Sequence, residues 1–215
     1  MDDTKSIRVR FAPSPTGFLH VGGLRTALYN FLFARKHGGT FILRIEDTDR
    51  SRYVEGALEN LIEVLQWAGL EYDEGPVKGG PCAPYVQSER LSIYKEHVEM
   101  LLSAGKAYRC FCAPERLEAM RREQEKSRIP PKYDRTCLRL TSTEIEENLK
   151  KGVPFAVRMK IPEAQRIRFH DIIREDVEFL SDQLDDQVLL KSDGYPTYHL
   201  ANVVDDHLME ISHVI

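Results

Sequence analysis

The chain has a single tryptophan, only four cysteines and no stretch approaching the ~20 consecutive apolar residues of a membrane span. The last absence argues against a helical membrane protein. The polar start, MDDTKSIRVR, has no apolar run for secretion. Of the four cysteines, Cys110-x-Cys112 is too close to bridge comfortably to itself. The expectation is a reduced, cytoplasmic protein whose cysteine cluster either binds metal or packs. No Gly-Lys-Ser/Thr follows the early glycines, so there is no Walker loop, and no GxGxxG dinucleotide fingerprint is present. Internal repeats and low-complexity tracts are also missing.

What is there is a chain of 215 residues, 42% of them hydrophobic, enough for one large domain or two smaller ones. The net charge of −4 is unevenly spread. Residues 8–52 hold eight Lys/Arg against three acids, a local +5, and residues 106–139 hold ten against five, again +5, leaving −14 for the rest. Two basic patches on an acidic body suit a polyanion that touches part of the surface.

One stretch organises the reading: Arg10-Phe-Ala-Pro-Ser-Pro-Thr-Gly-Phe-Leu-His-Val-Gly-Gly23. Ile7–Phe11 alternates basic and apolar residues and is predicted to be a strand. After the loop, Leu24, Ala27, Leu28, Phe31 and Leu32 fall on one face of a helix that His37-Gly-Gly39 stops. Thr40–Ile45 is a second β-rich run. Strand, helix and strand within about forty residues make a βαβ unit, whose two strands should be parallel neighbours. Helices are predicted over Val54–Ala68 and Glu89–Ala104, with a Gly/Pro-rich loop over 73–87 between them. Ala107–Phe111 is β-like. Residues 113–135 are strongly charged, contain Pro130-Pro131, and lose apolar periodicity after Met120. Val153–Ile161, Ile167–Ile173 and Val188–Lys191 read as strands, Tyr198–Asp206 as a helix and Ile211–Ile215 as a last strand. The fold class expected is α/β: a Rossmann-like parallel sheet flanked by helices, with an inserted α+β subdomain. The boundaries expected are 1–105 for the first half of the sheet domain, 106–185 for the insert and 186–215 for the start of the second half.

A strand, a tight loop and a helix N-terminus can hold a nucleotide's phosphates through backbone N–H groups. Pro13 and Pro15 stiffen the loop. His20 at the helix start can donate to a phosphate oxygen, helped by the helix dipole. Arg10, at the end of the first strand, offers a charge-assisted fork to a carboxylate. Glu46, after the second strand, can accept from an ammonium group. Both lie at carboxyl ends of neighbouring parallel strands, where ligands bind in such sheets. Tyr198 and Asn202 are four apart and share a helix face. Cys110, Cys112 and Cys137 are three thiols that suit Zn²⁺, with one more ligand needed for a tetrahedron.

Pro13-Ser-Pro-Thr-Gly-Phe-Leu-His20-Val-Gly22-Gly23 resembles the first ATP-binding signature of class I aminoacyl-tRNA synthetases. Together with Arg44-Ile-Glu-Asp-Thr-Asp49, Asp73-Glu-Gly-Pro76 and the run from Ser192 to Asp206, it is similar to the bacterial-type glutamyl-tRNA synthetases. The match extends from about Ile7 to Ile215. It implies ATP-dependent activation of L-glutamate to glutamyl-adenylate and transfer to the 3′ end of tRNA(Glu), by a monomer that needs no membrane. It implies that Pro13, Ser14, Pro15, Thr16, Gly17, His20, Gly22 and Gly23 form the ATP motif, with His20 catalytic, and that Mg²⁺ accompanies ATP. By the same resemblance Arg10, Ala12, Ser14, Glu46, Tyr198 and Asn202 bind glutamate, Arg10 reading the γ-carboxylate and Glu46 the ammonium. Some relatives place a His two residues after the third Cys. Here that residue is Arg139, which cannot ligate, and the resemblance supplies Tyr133 as fourth ligand beside Cys110, Cys112 and Cys137. The zinc it implies is structural, in an insert that guides the tRNA acceptor end.

The sequence also departs from the family pattern. Gly23 stands where many class I relatives have His. No Lys-Met-Ser-Lys-like second ATP motif and no helical anticodon-binding domain is found, and a further substrate-binding Arg would fall just after Ile215. The chain therefore resembles the N-terminal catalytic portion alone and is expected to charge tRNA poorly or not at all. Two other readings stand beside this one. One is the paralogue that attaches glutamate to queuosine in a tRNA anticodon; the other is a non-catalytic zinc- or RNA-binding module.

Overall fold

The structure, a computed structural model, describes residues 6–215. These residues form two compact units, one of residues up to Tyr94 together with Leu200–Ile215, the other Lys95–His199.

The first unit opens with strand β1 (Arg8–Phe11), helix α1 (Val21–Lys36) and strand β2 (Thr40–Leu43). β1 and β2 pair in parallel, from Arg8 opposite Thr40 to Phe11 opposite Leu43, as the βαβ reading requires. Parallel bridges Ile42–Glu74 and Ile45–Val86 bring the following segments alongside. Phe41, Ile42 and Leu43 are all buried, the mark of a strand covered on both faces. Phe41 and Leu43 join Val9, Phe11, Ala27, Ala34, Leu61 and Leu65 in the main core, while Ile42 packs with Tyr85 and Met209 on the other side. Glycine is needed at Gly39, where an added Cβ would lie 2.4 Å from the Ile7 carbonyl oxygen that receives the Thr40 N–H.

Helix α1 buries Ala27, Asn30 and Ala34, whereas Leu28 and Leu32, counted in the predicted face, are exposed. The stripe is rotated because Asn30 is accommodated inside, its amide donating to the Thr26 carbonyl one turn back. Helix α2 (Ala57–Trp67) starts three residues later than predicted, after Gly56 in the left-handed conformation. The Gln87–Arg90 turn and helix α3 (Leu91–Ser103) fill the predicted third helix; α3 runs from one unit into the other.

The predicted strand Ile211–Ile215 is not formed. The Ser212 N–H does reach the Arg8 carbonyl at 2.9 Å, but the Arg8 N–H is taken by Ser212 Oγ at 2.8 Å. The serine side chain stands where a strand carbonyl would be, and no ladder follows.

The second unit contains strands β3 (Ala107–Cys110), β4 (Ala156–Met159) and β7 (Val188–Leu190), antiparallel in the order β3-β4-β7, and a separate hairpin of β5 (Arg166–Asp171) and β6 (Glu175–Leu180). Helices α4 (Pro114–Lys126) and α5 (Ser142–Lys150) were not foreseen. α4 is charged almost all round and touches the interior only through Leu117 and Met120. α5 is announced by a capping box in which Thr141 and Glu144 cap each other. Helix α6 (Tyr198–Leu208) closes the element list, two residues longer than predicted. No helix of the described residues is long and apolar enough to cross a membrane.

One ion pair ties β1 to its neighbours. Arg8 donates to both oxygens of Glu74 at 2.7 and 3.0 Å, and Tyr85 Oη donates at 2.6 Å. Burial pushes the Glu74 carboxyl up, but the hydrogen bonds from Arg8 and Tyr85 outweigh it and hold it below its ordinary value of 4.5. A carboxyl lowered on folding stabilises above its unfolded pKa, and that stability is lost as pH falls through the folded one. Glu74→Gln should therefore cost about 2 kcal/mol in urea unfolding at pH 7. The gap to wild type should narrow as pH drops below 4.5. A gap that stays constant with pH would contradict this.

Candidate functional site

The loop between β1 and α1 is pinned at several points. Glu46 N–H donates to the Pro13 carbonyl at 3.0 Å, Val54 N–H to Pro15 at 3.0 Å, and Thr16 N–H to Ser14 at 2.9 Å. Pro15 is buried, Ala12 and Pro13 are half-buried, and Ser14, Thr16 and Gly17 are exposed. His20 is the N-cap of α1: its Nδ1 accepts the Gly22 N–H at 3.0 Å. An accepting Nδ1 places the proton of the neutral ring on Nε2, which leaves that nitrogen a donor. A side chain at either of the two glycines would have to displace a neighbouring side-chain end. A Cβ at Gly22 would lie 2.8 Å from His20 Cε1, and one at Gly23 would lie 2.7 Å from Leu19 Cδ1. α1 has no acidic residue in its first turn, so its positive end meets no local counter-charge.

Behind the loop lies a network of buried charges, all within the first unit. Arg10 forks Asp206 through Nε and Nη2, both at 3.1 Å. Arg44, fully buried, gives Nη1 to Asp206 at 2.6 Å and Nη2 to Glu46 at 3.0 Å, and its Nε lies 3.7 Å from Asp205. Asp205, also fully buried, accepts from Gln87 at 2.9 Å, Arg90 at 2.7 Å and Tyr94 at 2.8 Å. Burial pushes the Glu46 carboxyl above its ordinary value, against the pull of Arg44 and Arg10. Burial alone would lower the Arg44 pKa, yet the carboxylates around it, Asp206 foremost, raise it. Both guanidinium and carboxylates therefore depend on one another for their charge.

Of the residues singled out in the sequence, Arg10 and Glu46 are brought together by the path Arg10–Asp206–Arg44–Glu46. Asn202 stands on α6 with its Oδ1 buried and without a partner, an acceptor that lacks a donor. Tyr198, at the first position of α6, is exposed and belongs to the second unit. Arg44, Arg90, Asp205 and Asp206 were missed as site residues. A signal for Asp205 existed: Ala201, Val204 and Asp205 share the buried face of α6, so a charge sits on an apolar stripe.

In the second unit, the sulfurs of Cys110, Cys112 and Cys137 lie within 4.8 Å of one another, with Cys112 and Cys137 3.5 Å apart. Tyr133 Oη is 3.4 Å from Cys110 Sγ and 3.2 Å from Cys112 Sγ, and it accepts the Cys137 N–H at 3.0 Å. Sulfurs on a tetrahedral zinc sit about 3.8 Å apart, given Zn–S bonds of about 2.3 Å. The donor set and its spacing fit that ion. The Cys110 thiol is pulled down to about 4, first by its hydrogen bond with Cys137 and then by Tyr133 and Arg158, against burial. Cys137 moves up in return, through its bond to Cys110 and burial. The Arg158 guanidinium stacks 4.1 Å from the Tyr133 ring centre, and Arg116 donates to Cys112 Sγ at 3.3 Å. These cations favour thiolate in the cluster.

Comparison with known proteins shows the family of the chain. The model of the family "tRNA synthetases class I (E and Q), catalytic domain" matches residues 6–215. A glutamate–tRNA ligase of Chloroherpeton thalassium is 60% identical over 98% of this chain and 43% of its own length. One of Clostridioides difficile is 53% identical over 98% of this chain and 44% of its own. A crystal structure of a glutamate tRNA ligase from Elizabethkingia meningosepticum in complex with its amino acid superposes with a TM-score of 0.93 at 47% identity, covering 98% of this chain and 43% of that one. The chain thus spans less than half the length of the relatives it matches. Its parallel βαβ start is that of a Rossmann-like fold, and the chain belongs to the class I (E and Q) tRNA synthetases, of whose catalytic domain residues 6–215 are a match.

Proposed function

We propose that this chain provides the amino-acid and ATP site of a glutamate–tRNA ligase. The observation that carries the proposal is the placement of Arg10 and Glu46, a cation and an anion linked through Asp206 and Arg44, at the carboxyl ends of two parallel strands. Such a pair suits an α-amino acid with a second carboxylate. Glu46, hydrogen-bonded to Arg44, accepts from the ammonium, and Arg10 donates to the γ-carboxylate. The orphaned Asn202 Oδ1 offers a further acceptor on the same unit. Ala12 and Ser14 line the loop beside them, and Tyr198 is assigned to the same ligand by the family resemblance alone.

In the reaction, an oxygen of glutamate's α-carboxylate forms a bond to the α-phosphorus of ATP while the bond to pyrophosphate breaks. A ribose hydroxyl at the tRNA 3′ end then attacks the acyl carbon and AMP leaves. Negative charge shifts onto phosphoryl oxygens in the first step, so positioned donors matter more than a nucleophilic side chain. His20 Nε2–H and the N-terminus of α1 supply them, and the Pro13–Gly17 loop with Gly22 and Gly23 lets the phosphates approach backbone. Mg²⁺ bound with ATP would screen the phosphate charges. Cys110, Cys112, Cys137 and Tyr133 would hold a structural Zn²⁺ that ties the end of β3 to the segment Tyr133–Cys137 within the basic stretch 106–139, which suits contact with a tRNA acceptor end. The four free thiols support a reducing compartment, the cytoplasm. The enzyme is taken to act as a monomer.

Hydrogen exchange tests the reading. ATP plus L-glutamate should protect the Arg10–Gly23 amides in wild type, and Arg10→Ala should weaken L-glutamate binding by about a hundredfold. Unchanged exchange in the loop, with unchanged affinity in the variant, would leave the zinc- or RNA-binding module as the better account.

A further inference from the structure

Asp206 sits badly with a simple electrostatic view of the site. Arg10, Arg44 and Arg90 face Glu46, Asp205 and Asp206, three charges against three, so Asp206 cancels attraction for an incoming anion. Its position suggests a different use. A guanidinium presents two forks that match a carboxylate, the side edge of Nε with Nη2 and the end edge of Nη1 with Nη2. Asp206 fills the side edge of Arg10 at 3.1 Å on both bonds. Only the end edge remains for a second carboxylate. Asp206 is itself held, because its Oδ1 also receives Nη1 of Arg44 at 2.6 Å, and Arg44 is fully buried with its other end on Glu46.

We propose that Asp206 is a positioning residue that sets the length of the amino acid selected. By clamping one edge of Arg10 it leaves a single fork at a fixed separation from Glu46, so the site measures the distance from ammonium to far carboxylate in an α-amino dicarboxylic acid. The inference rests on the reading that Arg10 and Glu46 grip the two ends of that ligand. The hydrogen-bonded path is continuous: Arg10 to Asp206, Asp206 to Arg44, Arg44 to Glu46. A misplacement of the fork by about 1 Å, roughly the difference one methylene makes, is enough to change productive binding severely.

The test is a ratio. L-glutamate and L-aspartate carry the same charge and differ by one methylene, so the ratio of their dissociation constants cancels any general change in site potential. It is measured by calorimetry on the 215-residue chain and on Asp206→Asn, Asp206→Glu and Arg10→Ala. Wild type should prefer L-glutamate, and both Asp206 variants should lose about tenfold or more of that preference. Asp206→Glu keeps the charge, so a loss there isolates geometry. A ratio within about twofold of wild type in both variants would overturn the clamp. Arg10→Ala separates the two levels. If it binds L-glutamate as wild type does, or if wild type binds neither amino acid, the underlying reading fails. If it loses binding while the Asp206 variants keep the ratio, only the clamp fails. Should the variants not fold, the Arg10 Nε–H signal of wild type in ¹⁵N spectra decides: slow exchange that persists at saturating L-glutamate supports the clamp, and loss of that protection overturns it.

Discussion

Asp205→Ala should cost about 3–5 kcal/mol of stability in urea unfolding at pH 7, followed by hydrogen exchange at the β1 and β2 amides. The carboxylate is fully buried and takes hydrogen bonds from Gln87, Arg90 and Tyr94, with Arg44 Nε 3.7 Å away. Removing it leaves the Arg90 guanidinium, itself nearly fully buried, with only the carbonyls of Cys82 and Pro84 for partners. An uncompensated buried charge is what makes such losses large, more than the missing bonds themselves. The double variant Asp205→Leu/Arg90→Met removes both partners and should recover a substantial part of the loss. If the single and double variants are equally destabilised, the cost is one of packing and not of stranded charge. Tyr94 gives an independent readout. Burial and the neighbouring Asp205 carboxylate both raise its hydroxyl pKa, so Asp205→Ala should bring its titration down towards the ordinary value of 10.0.

The same network explains what could and could not be read in advance. β1 was legible from its alternation, β2 from a short unbroken β-rich run, and α1 from a helical recurrence of apolar residues even though Leu28 and Leu32 turn outward, and their stops are local. Arg10, Glu46 and His20 could be singled out as candidates because each occupies a fixed place on that frame. Asp205 and Asp206 were not, since their partners Arg90, Arg44 and Arg10 lie more than a hundred residues away in the chain. A buried acid on α6 looks, in one dimension, like any solvated acid. α4 was invisible for the opposite reason: a helix that buries almost nothing leaves no apolar stripe to count. β6 reads poorly because its side chains are mostly exposed, and its register comes from β5 across the hairpin. The failed strand at Ile211–Ile215 turned on one hydroxyl. Ser212 Oγ satisfies the Arg8 N–H that an extended partner would otherwise receive, an outcome set by side-chain competition for a backbone donor.

Cys137→Ser should release the zinc that the second unit is inferred to hold. Purified wild type should carry about one equivalent by elemental mass spectrometry, and the variant less than about a tenth. Cys137 lies at the centre of the cluster: its sulfur is 3.5 Å from that of Cys112 and accepts the Phe111 N–H at 3.3 Å, while its own N–H goes to Tyr133 Oη. A serine keeps the size but not the soft, readily ionised donor. Structural zinc contributes about 10 kcal/mol or more in small zinc-finger peptides, so even a fraction of that is large here. The loss should be confined to the second unit, since the ligands join the end of β3 to the turn at Thr136–Arg139. Exchange should quicken at Ala107–Cys110 and Ala156–Met159 and stay unchanged at Arg8–Phe11. Cys82→Ser, in the first unit and outside the cluster, is the control and should retain its metal. Tyr133→Phe tests the fourth position. If the phenol ligates, zinc affinity should fall about 10- to 100-fold, because one bond is lost and the Cys137 N–H is left without its acceptor. Wild type with far less than one equivalent, together with a Cys137→Ser variant as stable as wild type, would show that the three thiols merely pack.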